Sequence, residues 1–261
     1  MFHEITKNGV PFLVSDLLSV PHGFSGKRGG VSRGIYESLN LRVHCDDDPE
    51  RIAENYRRLY EAVGVTGPAV FTHQVHGDTV LPVMESDRHE LFTDVPYAAD
   101  GLITKEPGLP LIAFSADCIP ILLHDPVQNA VAAVHAGWRG TAFGIAEKAV
   151  RKMTACFGSR PADVRAAIGP GIGPCCFETG PEVPAALYQA LGQDAEEVIR
   201  PAGEKAFADL KKANLLFLLR AGLLPEQVDL CPVCTRCSHA LYWSHRQTLG
   251  ERGVQGAIIS L

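Results

Sequence analysis

One buried-strand signature constrains this chain more than any other feature. Val131-Ala132-Ala133-Val134-His135 is apolar at every position but the last, so both alternating faces of a strand there require cover. A sheet interior supplies that cover. The terminal histidine then needs a polar partner, because an unpaired polar group taken out of water costs about 1–3 kcal/mol on mutational scales. The next residues, Ala136-Gly137-Trp138-Arg139-Gly140, hold two glycines that let backbone approach a neighbour closely.

Other short apolar runs read as strands, at 69–72, 79–84, 101–104, 111–115, 119–123, 164–168 and 256–261. A helix is predicted after Asp48, a capping residue, with Pro49 and Glu50 suited to its first turn. Ile52, Ala53, Tyr56, Leu59, Tyr60 and Val63 recur at three- and four-residue spacings, and Gly64 is the stop signal. Further helices are expected at 141–157, closed by Gly158, at 182–191, and at 204–221, closed by Gly222. Strands crowd the middle and helices lie towards both ends. That order predicts the α/β (α+β) class, with mixed β-sheets flanked by helices and not a regular βαβ array. No repeat and no Pro, Gly or Ser-rich linker divides the 261 residues, so a single compact domain over 1–261 is expected.

Charge and composition exclude several roles. Thirty acidic against 24 basic residues give a net charge of −6, which disfavours binding to nucleic acid through its phosphates. No apolar run reaches the roughly 18 residues of a membrane span. The start lacks the basic and apolar stretches of a secretory signal, so a cytoplasmic protein is expected. Its eight cysteines are then expected as reduced thiols, metal binding excepted. No obligate protein partner is evident.

Three segments place metal-capable side chains at or beside buried strands: Phe71-Thr72-His73-Gln74-Val75-His76-Gly77, Ser115-Ala116-Asp117-Cys118-Ile119-Pro120, and the strand ending in His135. Two imidazoles and one thiolate would leave the fourth position of a tetrahedral zinc open, the catalytic pattern. From the residues alone each histidine could equally be a hydrogen-bonded core or surface group, and either His73 or His76 could be the ligand. Arg139 could hold an anion in its fork or form an ion pair. The loop Ile168-Gly169-Pro170-Gly171-Ile172-Gly173-Pro174-Cys175-Cys176-Phe177-Glu178 fits neither a dinucleotide fingerprint nor a Walker loop, leaving a structural turn or a pocket wall. Cys231-Pro232-Val233-Cys234-Thr235-Arg236-Cys237-Ser238-His239 could bind zinc or hold free thiols. Leu241 stands at the fourth ferredoxin-type position, so no complete iron–sulfur run is present.

Taken together, Gln74-Val75-His76-Gly77, Ala116-Asp117-Cys118 and Ala133-Val134-His135-Ala136-Gly137-Trp138-Arg139-Gly140, in that order, resemble the YfiH-like family. That family is also called polyphenol-oxidase-like or laccase-domain-containing. His22-Gly23-Phe24-Ser25, Gly29-Gly30-Val31-Ser32, Ser38-Leu39-Asn40-Leu41, Asp47-Asp48-Pro49, Ala99-Asp100-Gly101 and Ile168-Gly169-Pro170 extend the match almost end to end. The resemblance implies one zinc held by His76, not His73, together with Cys118 and His135. It also implies phosphorolysis of adenosine, inosine, guanosine and methylthioadenosine, with purine nucleoside and phosphate as the partners, and adenosine deamination. For deamination, zinc would lower the pKa of a bound water towards about 7 for attack on purine C6. By proximity to the motifs, Asp117 and Glu178 are the candidate proton carriers. Arg139, Lys27 and Arg28 are candidates to orient phosphate, and Asn40 is a candidate substrate contact. The chain departs from the family pattern at Gly26-Lys27-Arg28, at Arg42 and at Ser244-His245-Arg246-Gln247, which bear on anion binding and substrate preference and leave the three ligands untouched.

Three other readings compete. A copper phenol oxidase would need about ten ligands, mostly histidine in His-x-His pairs; the chain has ten histidines in all and no such pair, although copper could occupy a His/Cys site as an adventitious or alternative metal. A cysteine-type amide hydrolase would use Cys118 as nucleophile with His135 or His76 as base. A zinc-stabilised binding module would use the same residues without turnover.

Overall fold

The helix predicted after Asp48 forms the outermost layer. In the computed structural model, which describes residues 1–261, α1 spans Pro49–Val63, and the Asp48 carboxylate accepts from the Glu50 N–H at 3.0 Å. A cap of this kind contributes about 1 kcal/mol. Gly64 ends the helix at φ +84°, a conformation that favours glycine. Ile52, Tyr56, Leu59 and Val63 bury one face of α1 against a five-stranded antiparallel sheet. That sheet runs in the order β1 (Phe2–Lys7), β2 (Val10–Ser15), β3 (His22–Ser25), β14 (Gln255–Ile259) and β6 (Leu111–Ser115).

A second sheet packs on its other face. Its order is β13 (Val228–Leu230), β9 (Arg165–Ile168), β7 (Ile119–Asp125), β8 (Ala130–Ala136), β5 (Gly101–Thr104) and β4 (Val80–Pro82). The pairs at its two edges are parallel and the inner ones antiparallel, so the sheet is mixed, as the element order predicted. Side-chain alternation assigns the layers. Leu111 and Ala113 of β6 and Ala257 and Ile259 of β14 meet Leu122, Val131, Ala133 and Ala167 between the sheets. Ala132, Val134 and Ala136 of β8 face the opposite way, against α3 (Ile145–Phe157), α4 (Glu182–Leu191) and α5 (Leu210–Arg220). All seven residues of β8 are buried, which is what its unbroken apolar run demanded. A small antiparallel sheet of β10 (Glu178–Thr179), β12 (Lys205–Ala208) and β11 (Ile199–Ala202) joins this helical side. No helix is long and apolar enough to cross a membrane.

The structure corrects the element reading in several places. Residues 69–72 form no strand; Val70 and His73 make only single bridges to Leu111 and Ala98. The helix expected at 141–157 is two: α2 (Trp138–Ala142) starts earlier, and Gly144 at φ +72° separates it from α3. The span 204–221 splits at Asp209, whose carboxylate caps α5 through the Lys212 N–H, so the residues before it are free to pair as β12 with β11. The hairpin of β1 and β2 went unread, although Asn8-Gly9, both at positive φ, is the strongest short hairpin signal.

Topology decides where chemistry can gather. Ile119 opens β7 opposite Ala136 at the close of β8, and Gly101 opens β5 opposite Val134. The β6–β7 turn, the start of β5 and the end of β8 therefore share one end of the sheets.

Candidate metal centre

His135 sits on the inter-sheet side of β8, one residue from its end, and is 3% exposed. Its Nδ1 lies 2.9 Å from Asp100 Oδ1, immediately before β5. A carboxylate in that position makes Nδ1 the protonated nitrogen and leaves Nε2 to face the cluster. Asp100 also accepts from the backbone N–H groups of Val75, His76 and Gly77 at 3.3, 2.9 and 2.7 Å. One buried carboxylate thereby orients one histidine and carries the loop of another. Burial works against the ionised form of Asp100, but the His135 and backbone hydrogen bonds outweigh it and hold the carboxyl below its ordinary range.

Cys118 occupies the turn from β6 to β7. The Ser115 hydroxyl donates to its carbonyl at 2.6 Å, and Asp117 before it takes φ +96°. The donor atoms of His76, Cys118 and His135 lie within 4.8 Å of one another. The two imidazole rings meet nearly edge-on at 4.9 Å. Burial alone would raise the Cys118 thiol, yet His135 and His76 bring it down to about 6. Burial would likewise lower His135, and the Cys118 sulfur and Asp100 lift it to about 9. The pair is poised as thiolate and imidazolium. A divalent cation set among these donors would take over the positive charge that the imidazolium proton supplies.

Gly137 shows that the cradle is built for these donors. A Cβ there would stand 2.8 Å from His76 Cδ2 and 3.4 Å from Cys118 Sγ. At Gly140 a Cβ would strike the Gly77 carbonyl at 2.6 Å. Both glycines keep the His76 loop seated on the start of α2. The donor set, two borderline nitrogens and one soft sulfur with His76 open to solvent, fits zinc.

The other singled-out residues fall into different places. His73 lies outside this cluster, in the rim of a groove. Asp117 is buried, and its two oxygens accept from the Thr235 hydroxyl at 2.6 Å and the Arg246 N–H at 2.7 Å, so it ties the Cys118 turn to the C-terminal segment. Glu178 pairs with Lys205 across β10 and β12, and its carbonyl accepts from Arg246 at 2.9 Å. Arg139 is exposed, stacks 4.2 Å over Trp138 and forms no ion pair. Asn40 is fully buried with both ends of its amide engaged, by Asp47 and by the Arg42 N–H, so it shapes the Arg42 loop. Lys27 lies 4.5 Å over Trp243 and lines, with the exposed Arg28, a separate groove.

One basic residue, Arg252, went unread. Arg252 contacts His245, the first residue of α6 (His245–Thr248), at 3.3 Å. Burial and the charge of Arg42 both lower Arg252, while Asp117 and Cys118 act on it in the opposite sense. Its Nε has no partner in the protein. Arg42 and Arg252 thus form a cationic patch, with Arg252 within electrostatic reach of Cys118, while burial and the Arg252 charge lower His245, whose Nδ1 accepts from Arg252. The departures at Arg42 and His245 were the only signal for it. On the other side of the Arg42 loop, a groove of about 440 Å³ runs between Leu41, Phe71, Phe114 and Val254, with His73 and Gln74 from the His76 segment in its wall.

A second donor cluster revises the cysteine reading. Cys234 and Cys237 join Cys175 and Cys176, and Cys231 and His239 stay out. Cys231 is buried between the sheets, and His239 Nδ1 turns to the Arg236 carbonyl at 3.1 Å. Of ten histidines, only His76 and His135 enter either cluster, far from the ligand supply of a multicopper centre.

Comparisons with known proteins give the family and the fold. A family model described as multi-copper polyphenol oxidoreductase laccase matches residues 21–261. The purine nucleoside phosphorylase YlmD of Geobacillus stearothermophilus is 38% identical over 243 residues, covering 91% of this chain and 88% of that protein. A purine nucleoside phosphorylase of Deinococcus radiodurans is 38% identical over 259 residues, covering 98% and 95%. The crystal structure of the hypothetical protein YfiH of Bacillus licheniformis superposes with a TM-score of 0.93 at 32% identity, covering 100% of this chain and 98% of that one.

Proposed function

Because this chain belongs to the YfiH-like family, described as multi-copper polyphenol oxidoreductase laccase, we propose that it is a zinc-dependent purine nucleoside phosphorylase. Its substrates in this reading are adenosine, inosine, guanosine and methylthioadenosine, with adenosine deaminase activity at the same site. The observation that carries the reading is the convergence of His76, Cys118 and His135 under one organising carboxylate, Asp100. The names of the relatives in Geobacillus and Deinococcus support the substrate class.

Zinc held by those three side chains would supply a Lewis acid with one coordination position open to water or substrate. Every other part falls to the chain itself. The groove between Phe71 and Phe114 offers flat apolar walls for a purine. Arg42 and Arg252 supply the positive charge that a phosphate dianion requires, and the buried Arg252 Nε has no partner in the protein. Arg139, exposed on α2 two residues after Gly137, is a second donor for phosphate in this reading. An oxygen of monohydrogen phosphate then bonds to ribose C1′ as the C1′–N9 bond breaks, and the purine leaves with the proton that the phosphate gives up. Asp117 acts as a positioning residue, since its oxygens are already engaged. Glu178 is placed to steady Arg246 and hence Asp117.

A second reading has one specific observation in its favour. The lowered Cys118 thiol beside His135 is also the arrangement of a cysteine nucleophile and its base. Product analysis with adenosine and phosphate, before and after metal removal, separates the two. Adenine with ribose 1-phosphate marks phosphorolysis and inosine marks deamination, and both should vanish on chelation. Turnover that survives chelation and is stopped by alkylating Cys118 would replace the zinc reading with the nucleophile.

A further inference from the structure

We propose that Cys175, Cys176, Cys234 and Cys237 form a second metal site, which takes one zinc ion as a closed tetrathiolate. The four Sγ atoms lie within 4.8 Å of one another. Cys237 Sγ stands 3.5 Å from Cys175 Sγ and 3.4 Å from Cys176 Sγ. Zinc–sulfur bonds of about 2.3 Å in a tetrahedron place the sulfurs about 3.8 Å apart, so an ion enters with shifts of a few tenths of an ångström at these pairs. Soft thiolates in a tetrahedral set select zinc over the hard cations.

Two separate stretches of chain are shaped to meet here. Cys234 and Cys237 carry the two-residue gap of zinc-binding pairs. Cys175 and Cys176 follow the Gly/Pro loop 169–174 and lie on a turn, which aims both adjacent thiols at the same point. The Thr235 N–H donates to the Gly171 carbonyl at 3.1 Å, and the Gly173 N–H donates to Cys234 Sγ at 3.2 Å. A Cβ on Gly173 would lie 3.2 Å from Cys234 Cβ and 3.4 Å from Cys175 Sγ, so the loop closes tightly around the sulfurs.

A buried lysine beside the cluster is an independent observation. Lys211 is 4% exposed, and burial lowers its pKa while the charges of Cys231, Asp209, Cys234 and Cys175 act in the opposite sense. Its ammonium donates to the carbonyls of Cys231 and Val233 at 2.8 and 2.6 Å, in the same stretch that carries Cys234. A buried cation needs compensation. Four thiolates around one divalent zinc carry two net negative charges and provide it.

With all four positions filled by protein the ion would be structural. It would pin the 171–177 loop to the 231–238 segment. Those two pieces hold Asp117, through the Ile172 N–H to its carbonyl at 2.8 Å and through the Thr235 hydroxyl to its carboxylate. The second site would thus brace the residue preceding Cys118 without entering the cleft.

The test is zinc content by elemental analysis of protein purified in reductant without added metal, in the wild type, C175S/C237S and H135A. Cys175 and Cys237 are exposed, so the double variant should fold. Two zinc ions per chain are expected in the wild type and one in each variant. Cobalt-loaded H135A should keep the near-ultraviolet thiolate-to-cobalt band, and cobalt-loaded C175S/C237S should lose most of it. A wild type that holds only one zinc per chain, kept undiminished in C175S/C237S, would overturn the proposal, as would a disulfide among the four cysteines in protein handled without air. Loss of zinc in C175S/C237S with none lost in H135A would support this site and contradict the first one.

Discussion

The two donor clusters differ in how the chain builds them. His76, Cys118 and His135 come from three distant segments that meet at one end of the sheets, and a single carboxylate, Asp100, organises two of them. The four cysteines come from two loops tied by backbone hydrogen bonds, and no carboxylate orients their sulfurs; the Arg246 guanidinium reaches only the Cys176 carbonyl, at 3.4 Å. The first cluster has three donors, an exposed histidine and a neighbouring groove. The second has four donors of one kind. The contrast teaches that a coordination position can be left open only where the framework holds the ligands from behind, since the ion itself cannot be asked to hold them. A closed site can rely on the ion to gather loops that the core does not reach.

Removing a ligand should separate the clusters most sharply. Cys118→Ala should abolish phosphorolysis and one zinc, while the second zinc stays; kinetics and elemental analysis on the same sample check this. Next in size is Asp100→Asn, which keeps the shape but weakens both the His135 orientation and the His76 loop. Outer-shell changes of this type cost about 10–100-fold in metal affinity or activity, readable by zinc competition and by kcat/KM. Gly137→Ala should act through the same loop, because its Cβ would displace the His76 ring. A fall in zinc affinity without a fall in melting temperature is the expected signature.

A pH measurement sharpens the electrostatic half of the comparison. In metal-stripped protein the Cys118 thiolate should persist well below the usual thiol range, and its alkylation should fall away only as pH drops through about 6. The sign follows from a lowered pKa: the reactive form is present above it and lost below it. His135→Ala should move the midpoint upward, because burial then acts without its main opponent. The smallest effect on turnover is expected from C175S/C237S, which should lower Tm and leave kcat close to that of the wild type.

Much of the frame was legible in the residues because local rules and burial agree there. The apolar run at 131–135 demanded a doubly covered strand, and the Asp48 cap and Gly64 stop bounded α1. Helix α4 matches its expected bounds, Glu182–Leu191. Reading failed where a short signal interrupts a longer pattern, as Asp209 does between β12 and α5. At the site, residue types alone left His73 and His76 equivalent. The resemblance pointed to His76, and the structure groups His76, and not His73, with Cys118 and His135. Arg252 was not legible, and His245 was noted only as a departure from the family pattern, since both lie more than a hundred residues from Cys118 in sequence and the fold returns them through the pairing of β14 with β6 and the Arg246 N–H on Asp117. The partnership of Cys175 and Cys176 with Cys234 and Cys237 was hidden for the same reason.

The most direct test of the central claim is phosphorolysis of adenosine by chelator-stripped protein. The account predicts no adenine or ribose 1-phosphate from the stripped sample and recovery of both when zinc is returned. Full turnover by protein shown to hold no metal at His76, Cys118 and His135 would contradict it.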